Sequence, residues 1–204
     1  MTRFFTSDSH IGHANILRLG EGRPFHTLNH MHTELMLRHN AIVQPDDEVF
    51  FLGDIALGNL EESIQVFKNF NGKKYLVPGN HDKIFSGTNS KKRIETFKPV
   101  YEEAGFEILE ENTSIFIDKQ EVILSHFPYT GDHVMNNMGE ERYSRNRPKD
   151  TGLPLLHGHT HYTTRFTSGQ PRSLHIGVDA NSFTPVSEHE IEAWLDVLRK
   201  QKLI

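Results

Sequence analysis

Seven side chains able to hold a metal ion, Asp8, His10, Asp54, Asn80, His126, His159 and His161, each follow closely on a short apolar run. The chain contains no cysteine, so any bound ion has to be held by oxygen and nitrogen. The densest cluster is Gly79-Asn80-His81-Asp82, directly after Tyr75-Leu76-Val77-Pro78. That apolar run reads as a buried strand stopping at a proline, and Gly79 allows a backbone turn that a residue with a Cβ would resist. Asn80 then offers a neutral amide oxygen, and His81 an imidazole that binds metal or moves a proton near neutral pH. Asp82 supplies a carboxylate able to orient that imidazole.

The same arrangement recurs along the chain. Arg3 to Ser7 reads as a strand delivering Asp8 and His10, whose spacing can turn a carboxylate oxygen and an imidazole nitrogen to one side. The polar loop behind them adds His13 and Asn15 as further ligands or phosphate contacts. Glu48 to Leu52 forms a second strand ending on Gly53-Asp54, and Glu121 to Ser125 a later one ending on His126. Leu153 to Leu156 opens onto His157-Gly158-His159-Thr160-His161, where strand alternation lets His159 and His161 converge while His157 points away. In open α/β sheets such strand ends line the ligand crevice. Seven ligands are too many for one ion. With one bridging carboxylate they would supply two, about 3.5 to 4 Å apart, the spacing of two-metal phosphoester chemistry.

The elements between these strands have to position them. Leu28, Met31, Leu35 and Ile42 recur at helical spacing from an N-cap at Thr27 to Pro45, with His30, His32 and His39 expected on the solvated outer face. Asn59 and Glu62 resemble a capping box for a helix carrying Leu60, Ile64, Val66, Phe67 and Phe70. A charged helix from Lys91 to about Gly105 is followed by strands at Phe106 to Leu109, Ser114 to Ile117 and Glu121 to Ser125, the last two joined as a hairpin. Ser173 to Val178 reads as a further strand with a structural His175. Ser187 and Glu190 form a capping box for a final helix with the apolar stripe Ile191, Trp194, Leu195 and Leu198. The stretch from Phe127 to Asp150 lacks periodicity and carries Tyr129, His133, Arg142, Tyr143, Arg145, Arg147 and Lys149, and loops this long tend to be functional.

Composition bounds the rest. A chain of 204 residues, 36% hydrophobic and 24% charged, is expected to form a single domain spanning 1–204. Its net charge of -5 argues against holding duplex nucleic acid on a broad basic surface. No apolar run is long enough to span a bilayer, and a signal-peptide core is absent, so a cytoplasmic protein without membrane partners is expected.

Taken together, Asp8-Ser9-His10, Gly53-Asp54, Gly79-Asn80-His81-Asp82, His126 and Gly158-His159-Thr160-His161 resemble, in order, the five motifs of the calcineurin-like metallophosphoesterases, in their small bacterial and phage branch. The resemblance implies a two-layer mixed β-sandwich flanked by helices, an α/β (α+β) fold with the metal site at strand C-terminal ends. It implies that Asp8, His10 and His161 hold one divalent cation, that Asn80, His126 and His159 hold the other, and that Asp54 bridges them. His81 would assist the leaving oxygen, with Asp82 fixing its ring. Two such ions acidify a bridging water that attacks the phosphoester directly. The resemblance favours Mn²⁺, with Fe, Zn²⁺ or Ni²⁺ also compatible with the donors.

Substrate contacts are expected from His13, Asn15, Arg23, Arg145 and Arg147, because bases stack on aromatic rings and phosphates pair with arginine, which fits a nucleotide or a short single strand. Two other readings use the same residues. One is a mononuclear iron oxygenase with a two-histidine, one-carboxylate triad, which leaves Asp54, Asn80 and His81 unexplained. The other is a catalytically silent, metal-stabilised binding module, which would not need His81.

Overall fold

A computed structural model describes residues 1–19, 22–130 and 142–204; His133 lies outside them. The elements are β1 (Arg3–Thr6), α1 (Leu28–Ile42), β2 (Glu48–Phe51), α2 (Leu60–Ser63), β3 (Lys73–Leu76), α3 (Lys91–Glu103), β4 (Phe106–Ile108), β5 (Asn112–Ile117), β6 (Gln120–Ser125), β7 (Leu155–His157), β8 (Ser173–His175), β9 (Val186–Ser187) and α4 (Glu188–Lys200). Short 3₁₀ turns add Ala14–Arg18, Ile64–Asn69 and Val178–Ala180.

The strands form two mixed sheets, ordered β4-β3-β2-β1-β9 and β5-β6-β7-β8. In the first, β1 to β4 run parallel and β9 is antiparallel. In the second, β5 and β6 form the expected hairpin and β6, β7 and β8 run parallel. Strand alternation divides the aromatic-rich strands of the first sheet between two cores. Phe4, Val49, Phe51, Leu76 and Phe106 face α1, the 64–69 turn and α3. Phe5 and Phe50, with Leu52 and Val77 just beyond the strand ends, face Val122, Leu124, Leu156 and Leu174 of the second sheet and Trp194 and Leu195 of α4. The result is the expected sandwich flanked by helices. Burial of each such side chain stabilises the fold by about 1.5–3 kcal/mol before entropy is counted. Among the described residues no helix is long and apolar enough to cross a membrane.

Helix ends follow the local chemistry. Thr27 Oγ1 accepts from His30 N at 3.1 Å, Ser90 caps α3, and Ser187 and Glu190 form their capping box. Three expectations need correction. Asn59 makes no cap; its side chain donates to Glu62 Oε2 at 3.3 Å instead, and α2 is one turn long before it tightens into 3₁₀ geometry. His39 is buried rather than solvated, because it continues the Met31-Leu35 stripe one turn on. It packs against Phe51 and Phe70, its Nε2 donating to Asn71 O at 2.9 Å, while Ile42 is 41% exposed. His32 is half-buried and accepts from Gly12 N at 3.0 Å, which ties α1 to the loop after Asp8.

Candidate metal centre

Both sheets end at one place. Asp8 follows β1, Asp54 follows β2, Asn80 to Asp82 follow β3, His126 follows β6, and His159 and His161 follow β7. Hydrogen bonds from Asp8 N–H to Gly53 O (3.1 Å) and from Gly158 N–H to His126 O (3.0 Å) join neighbouring loops. A bond from Val178 N to Ser7 O (3.1 Å) links the first sheet to the second. Five of the seven candidate ligands, Asp8, His10, Asp54, His159 and His161, have positive φ, between 50° and 73°. Non-glycine residues are held in this region only where the surroundings over-determine them, and such residues cluster at functional sites.

Gly79 has a different reason from the one expected. Its φ is not positive; a Cβ there would lie 2.6 Å from Asp54 N and closer still to Asp54 Oδ1. The glycine therefore gives the second carboxylate room to approach. Gly158 does the same for Ser7 and Asp8.

The ligand atoms fall into two groups. Asp8, His10 and His161 offer atoms within 4.8 Å of one another, as do Asp8, Asp54 and His126. Asn80 Oδ1 and His159 Nδ1 approach His126 Nε2 at 3.0 and 3.2 Å. Asp54 Oδ2 lies between the groups, 3.7 Å from His10 Nε2 and 3.5 Å from His126 Nε2. Ligands at about 2.1 Å from one ion are separated by about 3.0 to 3.4 Å in octahedral or tetrahedral arrangements, so these spacings suit cations. The donor set fits for a second reason. Asp8 Oδ1 and His10 Nε2 are buried and make no hydrogen bond, a costly condition that a cation would relieve.

Charge in the centre is strongly perturbed. Burial pushes Asp54 up, but the charges of His126 and His10 outweigh it and hold the carboxyl below its usual range. Asp8 is likewise held down by His161 and His126 against its own burial. His10 is pushed down to about 3, first by burial. His126 is pushed up to about 9, since the Asp54 charge outweighs burial.

Asp82 does not face the His81 ring. Its Oδ2 accepts from Gly79 N at 2.8 Å and Asp54 N at 2.9 Å, and its Oδ1 from Ile55 N at 3.3 Å and the Tyr101 hydroxyl at 3.5 Å. A buried carboxylate with backbone donors on offer satisfies them before it reaches an exposed ring. Burial and the neighbouring Asp54 push Asp82 up to about 7. His81 stands at the mouth with its side chain 46% exposed and Nε2 4.0 Å from Asp54 Oδ2. His81 N donates to Asp54 Oδ1 at 2.8 Å.

At the mouth, His13 Nδ1 lies 3.2 Å from His10 Nδ1; Asn15 is exposed on the 14–18 turn. The Tyr143 ring packs against Phe127 and His159. Arg145 is exposed, and Arg147 Nη1 donates to Pro128 O at 3.2 Å. Arg23 is buried behind the centre, not at its mouth. His157 points away as expected and packs on His175.

The sequence reading missed Asp179. It accepts from His161 Nδ1 at 2.9 Å and pairs with Arg23, and these partners hold its carboxyl down at about 2 against burial. The signal was present, because Gly177-Val178-Asp179 repeats the pattern of a strand, a glycine and a carboxylate one residue past the expected strand end.

No family model matches the chain. It is 33% identical over 194 residues to the gene 66 protein of Mycobacterium phage D29, covering 91% of this chain and 92% of that one. It is 30% identical over 198 residues to the gene 66 protein of Mycobacterium phage L5, covering 87% and 86%. Among solved structures, a protein of unknown function, AQ665 from Aquifex aeolicus, superposes with a TM-score of 0.67 at 24% identity over 94% of this chain and 98% of that one, which shows the shared fold. With these two relatives matched over nearly their whole length, the chain belongs to the family of the mycobacteriophage gene 66 proteins.

Proposed function

We propose that the protein is a metal-dependent phosphoester hydrolase working with two divalent cations, Mn²⁺ being the favoured ion. The observation that carries this reading is the pair of buried ligand clusters that meet at Asp8 and Asp54. A mononuclear iron site would be served by Asp8, His10 and His161 alone and gives no reason for Asn80, His126 and His159 to converge.

When bound, two such ions would neutralise phosphoryl oxygens and acidify a coordinated water. The protein's part is positional. Asp8, His10 and His161 are assigned to one ion, Asn80, His126 and His159 to the other, and Asp54 to the space between. His81, reachable from solvent and backed by Asp54, is assigned to give a proton to the leaving oxygen. Asp82 serves by holding the Asp54 and Gly79 backbone, and so acts on the chemistry at one remove. His13 lies beside His10 and His81, and His13 and Asn15 are assigned to the phosphoryl group.

A nucleotide or short single strand is the substrate class we favour. Tyr143 beside His159 offers an aromatic edge, and Arg145 and Arg147 follow it along the same loop. The ligands come from both sheets, so the chain works as one unit. Metal-stripped protein reconstituted with Mn²⁺ should hydrolyse bis-p-nitrophenyl phosphate. A panel of mono-, di- and cyclic nucleotides and single-stranded DNA and RNA should then identify the natural leaving group. Absence of turnover with Mn²⁺, Fe²⁺, Zn²⁺ and Ni²⁺ across the whole panel would refute the reading.

A further inference from the structure

Arg23 has five N–H donors, and the protein uses all of them. Nε and Nη2 form a fork on Asp179 Oδ1 and Oδ2 at 2.8 and 2.9 Å. Nη2 also donates to Asp8 O at 2.7 Å, and Nη1 donates to Ser9 O at 3.1 Å and Met31 Sδ at 3.5 Å. The Arg23 side chain is 2% exposed and that of Asp179 11%. No donor of Arg23 is left over for a substrate, which removes it from the expected contact surface.

We infer that Arg23 and Asp179 form a positioning pair that presets the side of the centre made by Asp8, His10 and His161. This rests on the two-metal reading. Asp179 Oδ2 accepts a hydrogen bond from His161 Nδ1–H at 2.9 Å, which leaves Nε2 as the lone-pair nitrogen of the neutral ring and fixes its rotation. The same guanidinium holds the carbonyls of Asp8 and Ser9, in the turn where Asp8 and His10 sit at φ of 60° and 50°. One buried ion pair therefore joins the loop after β1 to the turn after β8, across the two sheets, and through Asp179 reaches His161 in the loop after β7. Bidentate geometry makes arginine the residue for this task, since a lysine could reach Asp179 or the carbonyls but not form the fork. Arg23 and Asp179 bond to each other, to the backbone of Asp8 and Ser9, to Met31 and to His161, so the effect falls first on the half of the centre made by Asp8, His10 and His161.

The first test needs no variant. In metal-free protein at about pH 9, well above the ordinary imidazole value of about 6.5, nitrogen-15 NMR of His161 should show one tautomer, protonated at Nδ1. An Nε2-protonated or mixed ring would overturn the inference, whether or not the protein proves to be a hydrolase. The second test is calorimetric titration with Mn²⁺ of wild type, Asp179→Asn and Arg23→Lys. One of the two ions should bind about 10- to 100-fold more weakly in each variant, the usual effect of removing such a partner, with the other, which shares only Asp8 with it on this side, weakened much less. Equal weakening of both ions, or of neither, would overturn it. If wild type binds no metal, the two-metal reading fails, and the tautomer measurement still decides the role of Asp179.

Discussion

Asn80 Oδ1 lies 3.0 Å from His126 Nε2, while His126 Nδ1 lies 2.8 Å from the carbonyl of Leu52. With the Asn80 amide oxygen facing it, the neutral ring has one proton for two acceptors, a conflict relieved by a second proton, by a cation between Asn80 and His126, or by turning the Asn80 NH2 group toward the ring. A metal ion resolves the conflict without charging the imidazole, and the neighbouring Asp54 carboxylate makes the position attractive to positive charge of either kind.

Metal should therefore stabilise the fold measurably. Ion at about 100 times its Kd stabilises the folded state by about 2.7 kcal/mol, so Mn²⁺ should raise Tm by several degrees and a chelator should reverse it. No shift in Tm at saturating Mn²⁺ would argue against a site preformed in the fold.

Asp54→Ala should abolish activity and lower metal content at both positions, because its Oδ2 is within 4 Å of a ligand nitrogen in each cluster. Elemental analysis after gel filtration reads this directly. Two tightly held ions in the variant would remove Asp54 from the bridging position.

His81→Ala should keep the fold and both ions while losing roughly 10² to 10⁴ in rate, the usual worth of a general acid. The loss should be large on an alcohol leaving group such as ribose and small on p-nitrophenolate, which leaves without a proton. Equal damage on both would assign His81 to electrostatic stabilisation of the phosphoryl oxygens.

Asp82→Ala separates two roles. If Asp82 holds the loops, the variant leaves the N–H groups of Gly79, Asp54 and Ile55 without their acceptor, at about 1–3 kcal/mol each. Metal content should then fall together with stability. A variant that keeps both ions and loses only leaving-group assistance would return Asp82 to orienting His81.

His39 gives the protein an acid-sensitive element remote from the centre. Burial pushes it down to about 4, against about 6.5 in the unfolded chain. Between those values the unfolded state binds the extra proton, so the stabilisation is complete above about pH 6.5 and is lost as pH falls toward 4. The full effect is of the order of 3 kcal/mol. Urea unfolding from pH 7 to 4 should show a steeper loss for wild type than for His39→Gln, and parallel profiles would show that His39 does not titrate on unfolding.

The sequence alone determined the strands and what stands at their ends. Short apolar runs closed by Gly-Asp, Gly-Asn-His-Asp or Gly-His-Thr-His are local signals, because alternation and turn chemistry act over a few residues. Asp8, Asp54, Asn80, His126, His159 and His161 could thus be named before any packing was known. The partners of Asp82 and Arg23 were decided only by the tertiary structure. Asp82 reads locally as the neighbour of His81, yet three backbone donors brought near by the packing of β2 against β3 claim its carboxylate. Arg23 reads as an exposed cation for phosphate, yet it is buried against Asp179, 156 residues away in the chain. A buried polar group takes whichever partner the fold brings within reach, and for both residues that partner comes from another strand end, which the neighbouring sequence does not encode.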